Sequence, residues 1–184
     1  MTLLDFFARW RVRLGYLLAV VALWLARPAP RSILLGAVVG LIGLLLRGYA
    51  AGYLNKQEVL TVAGPYARTR NPLYLGSSML ALGAAVAMNS IWAAALLLCY
   101  FALAYSLVMR REEMELRQKH GYAFSAYAAA VPLFLPKLFG ATSATANGAS
   151  FSWGQYKKNH EYEAAIGFVL LLLGLVLIWW LRSR

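Results

Sequence analysis

NPLYLGSSMLALGAAVAMNSIWAAALLLCYFALAYSLVM, residues 71–109, runs for 39 positions without one charged side chain. A helix rises about 1.5 Å per residue and needs about 20 apolar residues to cross about 30 Å of hydrocarbon. The stretch is too long for one span and the right length for two antiparallel ones. Asn89 and Ser90, near its middle, favour a turn over a helix interior, so the reading is two membrane helices, 72–88 and 91–109, joined there. The whole chain agrees: 61% of its 184 residues are hydrophobic, only 14% are charged, and the mean hydropathy is +0.60. The fold class that follows is all-α, a polytopic helical membrane protein.

Working outward, three more apolar runs read as spans. Residues 14–26 are short, and crossing requires the flanking arginines to snorkel while Trp10 and Trp24 sit near the interfaces. Residues 32–54 follow Pro30, and Gly36, Gly40 and Gly43 place small residues where another helix can approach closely. Arg47 interrupts this run and is expected near an interface. Residues 164–181 end in Trp179, Trp180 and Arg182, an aromatic and basic anchor. The expectation is therefore about five transmembrane helices in a single membrane domain. With the amino terminus in the cytoplasm, 14 of the 18 Lys and Arg fall on the cytoplasmic side, and that asymmetry sets the orientation. A net charge of +11 beside such runs points to orientation and anionic headgroups, and to no nucleic-acid partner. The lone Cys99 excludes a disulfide framework, and no convincing secretory signal opens the chain.

This topology puts two polar segments, 55–71 and 110–163, on one face. The first leads into GPYARTRNPLYLG, residues 64–76, at the mouth of the third span. Asn71 suits a helix cap and Pro72 a first turn, so a helix begins there with free N–H groups and a positive dipole end. Arg68 and Arg70 add charge, which fits either a carboxylate or phosphate ligand or simply lipid headgroups. The second segment contains RREEMELRQKHGYAFSAYAAAVPLFLP, residues 110–136. If the helix continues, Glu113 faces Arg117 and Glu115 faces Lys119 at i+4, and Gly121 ends it. Either these are ordinary solvated pairs, or Glu112 and Glu113 are carboxylates put to use at a membrane boundary. Residues 131–139, with Pro132 and Pro136, are too short to span and are expected along the interface. Residues 141–152 read as a loose linker, and 159–163 as a cap for the last helix or a polar lid. His120 and His160 are isolated, and no metal-ligand spacing is present.

Taken together, the two segments resemble the membrane methyltransferase superfamily that contains isoprenylcysteine carboxyl methyltransferase and the phospholipid N-methyltransferases. That family reads GxYxxxRHPxYxG, then a helical hairpin with Asn near its turn, then EExxLxxxFGxxYxxY followed by Val and Pro. Here stand Gly64, Tyr66, Arg70, Asn71, Pro72, Tyr74 and Gly76, then Asn89, then Glu112, Glu113, Leu116, Gly121, Tyr127, Val131 and Pro132. Three positions depart: Asn71 replaces the family histidine, His120 a phenylalanine, and Phe124 a tyrosine. Asn71 can hydrogen-bond but cannot carry a proton.

The resemblance implies S-adenosylmethionine as cofactor, at a cytoplasmic-face site formed by Tyr66, Asn71, Pro72, Tyr74, Glu112 and Glu113, with Leu60 in the looser stretch 58–61. It also implies that Arg110 and Arg111 lie nearest the position that holds an acceptor carboxylate, and it assigns no catalytic residue. The acceptor would be a lipid or lipid-modified molecule, a prenylated cysteine carboxylate or a phospholipid amine, in what is expected to be a bacterial inner membrane. Two other readings stay open: a nicotinamide-dependent membrane reductase of related architecture, and a non-catalytic scaffold.

Overall fold

The computed structural model of the protein describes residues 3–55, 59–137 and 150–184. All regular elements among the described residues are helical: α1 (Leu3–Leu25), α2 (Pro30–Tyr53), a 3₁₀ turn (Gly64–Ala67), α3 (Pro72–Met88), α4 (Ile91–Ala130), α5 (Trp153–Lys158) and α6 (Tyr162–Arg182). The expected linker falls largely outside the described residues, as do Glu58, Phe139 and the Trp10 side chain.

Local chemistry sets the helix limits. Pro30 and Pro72 open α2 and α3, where a missing N–H costs nothing and a fixed φ is already helical. Asn89 adopts a φ of +49° and stops α3. Ser90 Oγ then accepts from the Ala93 N–H at 3.4 Å and starts α4. The turn expected at Asn89 and Ser90 is therefore present. Three helices, α2, α4 and α6, are long and apolar enough to cross a membrane. The apolar part of α1, Arg13–Leu25, and α3 are shorter. At 17 residues α3 rises about 26 Å, because the Asn89 turn cuts it short.

The helices pack as two units. One comprises Met1–Ile42, Ser78–Val108 and Ile166–Arg184. Its centre holds Ala22, Ala26, Ala87, Met88, Ala93 and Leu175, mostly small residues that let backbones approach. A Cβ on Gly83 would stand 2.6 Å from the Gly36 carbonyl oxygen and 2.7 Å from the Gly40 nitrogen, so α2 and α3 touch backbone to backbone. One end of this unit is closed by polar bonds. The Arg27 N–H donates to Met88 O at 2.8 Å and Asn89 Nδ2 to Arg27 O at 3.1 Å. The Arg182 guanidinium donates to the Ala26 and Trp24 carbonyls, which α1 leaves unpaired at its end.

The other unit comprises Gly43–Ser77 and Met109–Ala165. α4 runs past residue 109 and is broken, rather than ended, at Gly121, whose φ of +52° and ψ of −119° suit a residue without a Cβ. The helical run resumes to Ala130 and turns Phe124, Tyr127 and Val131 into a small core against Leu60, Val62 and Leu116. Phe124, only 1% exposed, takes the family tyrosine position with a wholly apolar side chain. Burying such a ring stabilises the unit by about 1.5–3 kcal/mol.

Candidate functional site

Gly64 turns the chain with a φ of +60° against the ring of Tyr53, and the 3₁₀ turn buries Pro65 and Tyr66. Residues 68–71 then pair with residues 132–137. The Arg70 N–H donates to Pro132 O at 2.9 Å and the Lys137 N–H to Arg68 O at 3.0 Å. Thr69, 2% exposed, donates through Oγ1 to Phe134 O at 2.8 Å. Asn71 Nδ2 donates to Leu133 O at 3.0 Å. The Asn71 backbone carbonyl accepts from the Leu75 N–H at 3.0 Å, so Asn71 holds the cap position while its side chain is spent on Leu133. Residues 131–137 thus form a clamp on the first motif, a contact that the interfacial reading of this stretch did not anticipate.

The clamp delivers the first motif to the second. The Arg70 guanidinium donates to Glu113, with the two side chains 14% and 23% exposed. The Tyr74 hydroxyl donates to Glu112 Oε1 at 2.6 Å. Tyr127 donates to the Tyr66 carbonyl at 2.7 Å. The structure therefore gathers Tyr66, Asn71, Pro72, Tyr74, Glu112 and Glu113 in one unit, with Leu60 beneath them packed on the Phe124 core. Arg110 and Arg111 are exposed, and Arg111 donates to Glu115 at 2.9 Å with both side chains more than half exposed.

The i+4 pairing expected of Glu113 is replaced by Arg70, because a partly buried partner is less screened by water than a solvated one. Glu115 takes Arg111 as a partner on its own helix. Residues 159–161 also serve differently from the expected cap of α6. Asn159 Nδ2 donates to the Ala51 and Leu54 carbonyls at 2.9 and 3.0 Å and so caps α2, while Glu161 binds Arg47. The signal in the sequence for that last pair was Arg47 itself, a charge within an apolar run that needs a partner.

Two polar atoms at this site are buried without a hydrogen-bond partner among the described residues, Tyr66 Oη and Arg70 Nε. Burial pushes the Tyr66 phenol well above its ordinary range, and the neighbouring Tyr127, Glu161 and Glu112 add to the effect. Burial does the same to Tyr127, opposed by the charge of Arg70. Both hydroxyls are donors at any physiological pH. No group of three or more His, Cys, Asp or Glu that could hold a metal occurs among the described residues.

Residues 10–123 match the phospholipid methyltransferase family, part of the isoprenylcysteine carboxyl methyltransferase-like superfamily. The nickel-cobalt-cadmium resistance protein NccN of Alcaligenes xylosoxydans xylosoxydans is 34% identical over 106 residues, covering 54% of this chain and 49% of that protein. The cobalt-zinc-cadmium resistance protein CzcN of Cupriavidus metallidurans is 30% identical over 136 residues, covering 70% and 62%. The chain thus aligns with about half to three fifths of the length of these relatives. No solved structure matches it.

Proposed function

Because this chain belongs to the phospholipid methyltransferase family, an integral membrane family of methyl-transferring proteins, we propose that it uses S-adenosylmethionine to methylate a membrane-embedded amphiphile. The observation that carries the reading is the joining of the two motifs, Arg70 to Glu113 and Tyr74 to Glu112. The residues present fit the cofactor. Carboxylates and phenol faces suit a sulfonium cation, and the unpartnered Tyr66 Oη and Arg70 Nε offer donors to a polar ligand. Tyr66, Asn71, Pro72, Tyr74, Glu112 and Glu113 would hold it, with Leu60 supporting from the core. When bound, the cofactor supplies an electrophilic methyl group.

The chain's own task is alignment, since displacement at carbon requires nucleophile, methyl and leaving group in line. The clamp of residues 132–137 fixes the backbone of residues 68–71, and Pro72, fully buried, begins α3 without a fraying N–H. The ion pair of Arg70 with Glu113 neutralises one carboxylate and leaves Glu112, held by Tyr74, as the charge that faces a cation. A carboxylate acceptor would attack without a base, with exposed Arg110 and Arg111, just ahead of Glu112 in the sequence, as the candidates to hold it. A phospholipid amine would have to arrive neutral. In this reading all five apolar helices span, and the amino terminus and the site face the cytoplasm of a bacterial inner membrane. The metal-resistance names belong to the two relatives; for this chain we take them as a physiological setting, tested by comparing metal tolerance with and without the protein.

The first experiment is calorimetric titration of the purified protein in nanodiscs with S-adenosylmethionine and S-adenosylhomocysteine, alongside Glu112→Gln and Tyr74→Phe. Saturable binding weakened by either change supports the site. A folded sample that binds neither compound refutes it, and binding of a reduced nicotinamide instead would favour a reductase.

A further inference from the structure

Arg47 lies on α2 between Leu46 and Gly48, after the apolar run 41–46, where a guanidinium is costly unless fully engaged. Two other elements engage it. Nε and Nη2 donate to the two oxygens of Glu161 at 2.9 and 2.8 Å, a bidentate pair with Glu161 only 8% exposed. Nη1 donates to Ser77 Oγ on α3, where Ser77 is 3% exposed. Ser77 in turn donates to Leu73 O at 2.9 Å, one turn back, between Pro72 and Tyr74. The backbones here leave no slack: a Cβ on Gly76 would stand 2.6 Å from Arg47 Cγ and 2.8 Å from Gly43 O.

Glu161 is itself held from its own side. The Ser152 N–H donates to Gly52 O at 3.0 Å, the ring of Phe151 lies against Gly52, and Asn159 caps the end of α2. This segment follows residue 123, where the family match stops, so neither motif supplies it.

We propose that Glu161 is a positioning residue for the cofactor site: by locking Arg47 it fixes Ser77, and through Ser77 the opening turn of α3 that carries Asn71, Pro72 and Tyr74. The inference rests on the methyltransferase reading of that site. Its chemistry is an unbroken chain of charge-assisted and neutral hydrogen bonds, from Glu161 to Arg47 to Ser77 to Leu73 O. The Glu161 charge also reinforces the burial that keeps the Tyr66 phenol protonated.

The test compares wild type, Glu161→Gln and Ser77→Ala in nanodiscs. Calorimetry reads S-adenosylhomocysteine affinity. Turnover is followed with phosphatidylethanolamine vesicles and with N-acetyl-S-farnesylcysteine as acceptor probes, and thermal unfolding is recorded for each variant. Glu161→Gln is expected to weaken binding, and to raise KM for S-adenosylmethionine, by about tenfold, the factor for replacing a bidentate ion pair by a single bond from the guanidinium to a neutral amide oxygen, with kcat little changed. Ser77→Ala keeps the ion pair but takes the acceptor from one Arg47 N–H, so it should weaken binding severalfold with a smaller drop in melting temperature than Glu161→Gln. A Glu161→Gln protein that melts earlier yet binds at wild-type affinity, or a Ser77→Ala protein with unaltered affinity, overturns the inference and leaves Glu161 as a tether of its own segment. If Glu161→Gln does not fold, Ser77→Ala alone decides. A wild type that binds nothing overturns the methyltransferase reading itself, a distinct result, and removes this inference with it.

Discussion

Replacing Tyr127 by Phe removes one oxygen atom and little else. The Tyr127 hydroxyl donates at 2.7 Å to the Tyr66 carbonyl, and the two residues are 8% and 7% exposed. The ring stays, so its edge-on contact with Phe124 at 6.3 Å survives and no cavity opens. What is lost is one hydrogen bond, and what is left is a carbonyl shut away from water, together costing about 1–3 kcal/mol. For a chain of this length each kcal/mol shifts the melting temperature by about 2–4 °C, so a fall of about 2–12 °C is expected at neutral pH. The carbonyl belongs to a residue of the proposed cofactor site, so S-adenosylhomocysteine affinity should fall with it.

The same variant makes a pH prediction. Burial raises the Tyr127 and Tyr66 phenols above their ordinary value of 10.0. Above that value the unfolded chain has released protons that the folded chain still holds, so the folded state loses stability as pH rises beyond it. Their contribution is complete below pH 10.0 and declines above it. Tyr127→Phe deletes one of the two groups and should make the alkaline decline shallower. Thermal unfolding of both proteins in detergent, at neutral pH and at about pH 10.5, reads both effects. An unchanged melting temperature at neutral pH, together with equal alkaline slopes, would refute the reasoning.

Phe124→Tyr, which restores the family residue, should destabilise by about 1–3 kcal/mol, since it places a hydroxyl on a ring only 1% exposed; a neutral or stabilising result in thermal unfolding would show a partner for it. Gly83→Ala places a methyl group 2.6 Å from a carbonyl oxygen of α2, so the two helices must separate at a cost of about 1–3 kcal/mol, and a melting temperature equal to wild type would contradict that packing. Asn159→Ala leaves the Ala51 and Leu54 carbonyls without their side-chain donor and should cost about 1–2 kcal/mol, with faster hydrogen exchange confined to the end of α2 as its signature.

The parts of the fold legible in the sequence are those that obey one local rule. A lipid interior demands long apolar runs, and an uncharged stretch twice the length of a span has to turn back, which Asn89 does. Pro72 announces the start of α3 by its own covalent geometry. The motif residues were legible in the same way, as types at fixed spacing, and the structure assembles them in one unit. The break at Gly121 was half legible. Glycine marks a place where the helix can yield, yet whether the chain leaves or resumes depends on the core that Phe124, Tyr127 and Val131 find afterwards.

What the sequence by itself determined is therefore the all-helical class, the turn and the starts of α3 and α4, and it proposed the residues of the candidate site. The partners of the charges were decided only by tertiary structure. Glu113 had an arginine four residues along its own helix and took Arg70 instead, Glu161 found Arg47 from 114 residues away, and Asn159 capped a helix other than its own. In each case several partners of equal chemistry compete, and local spacing ranks them about equally. The winner is the one that packing brings to a site shielded from water, where a charge left unpaired costs most.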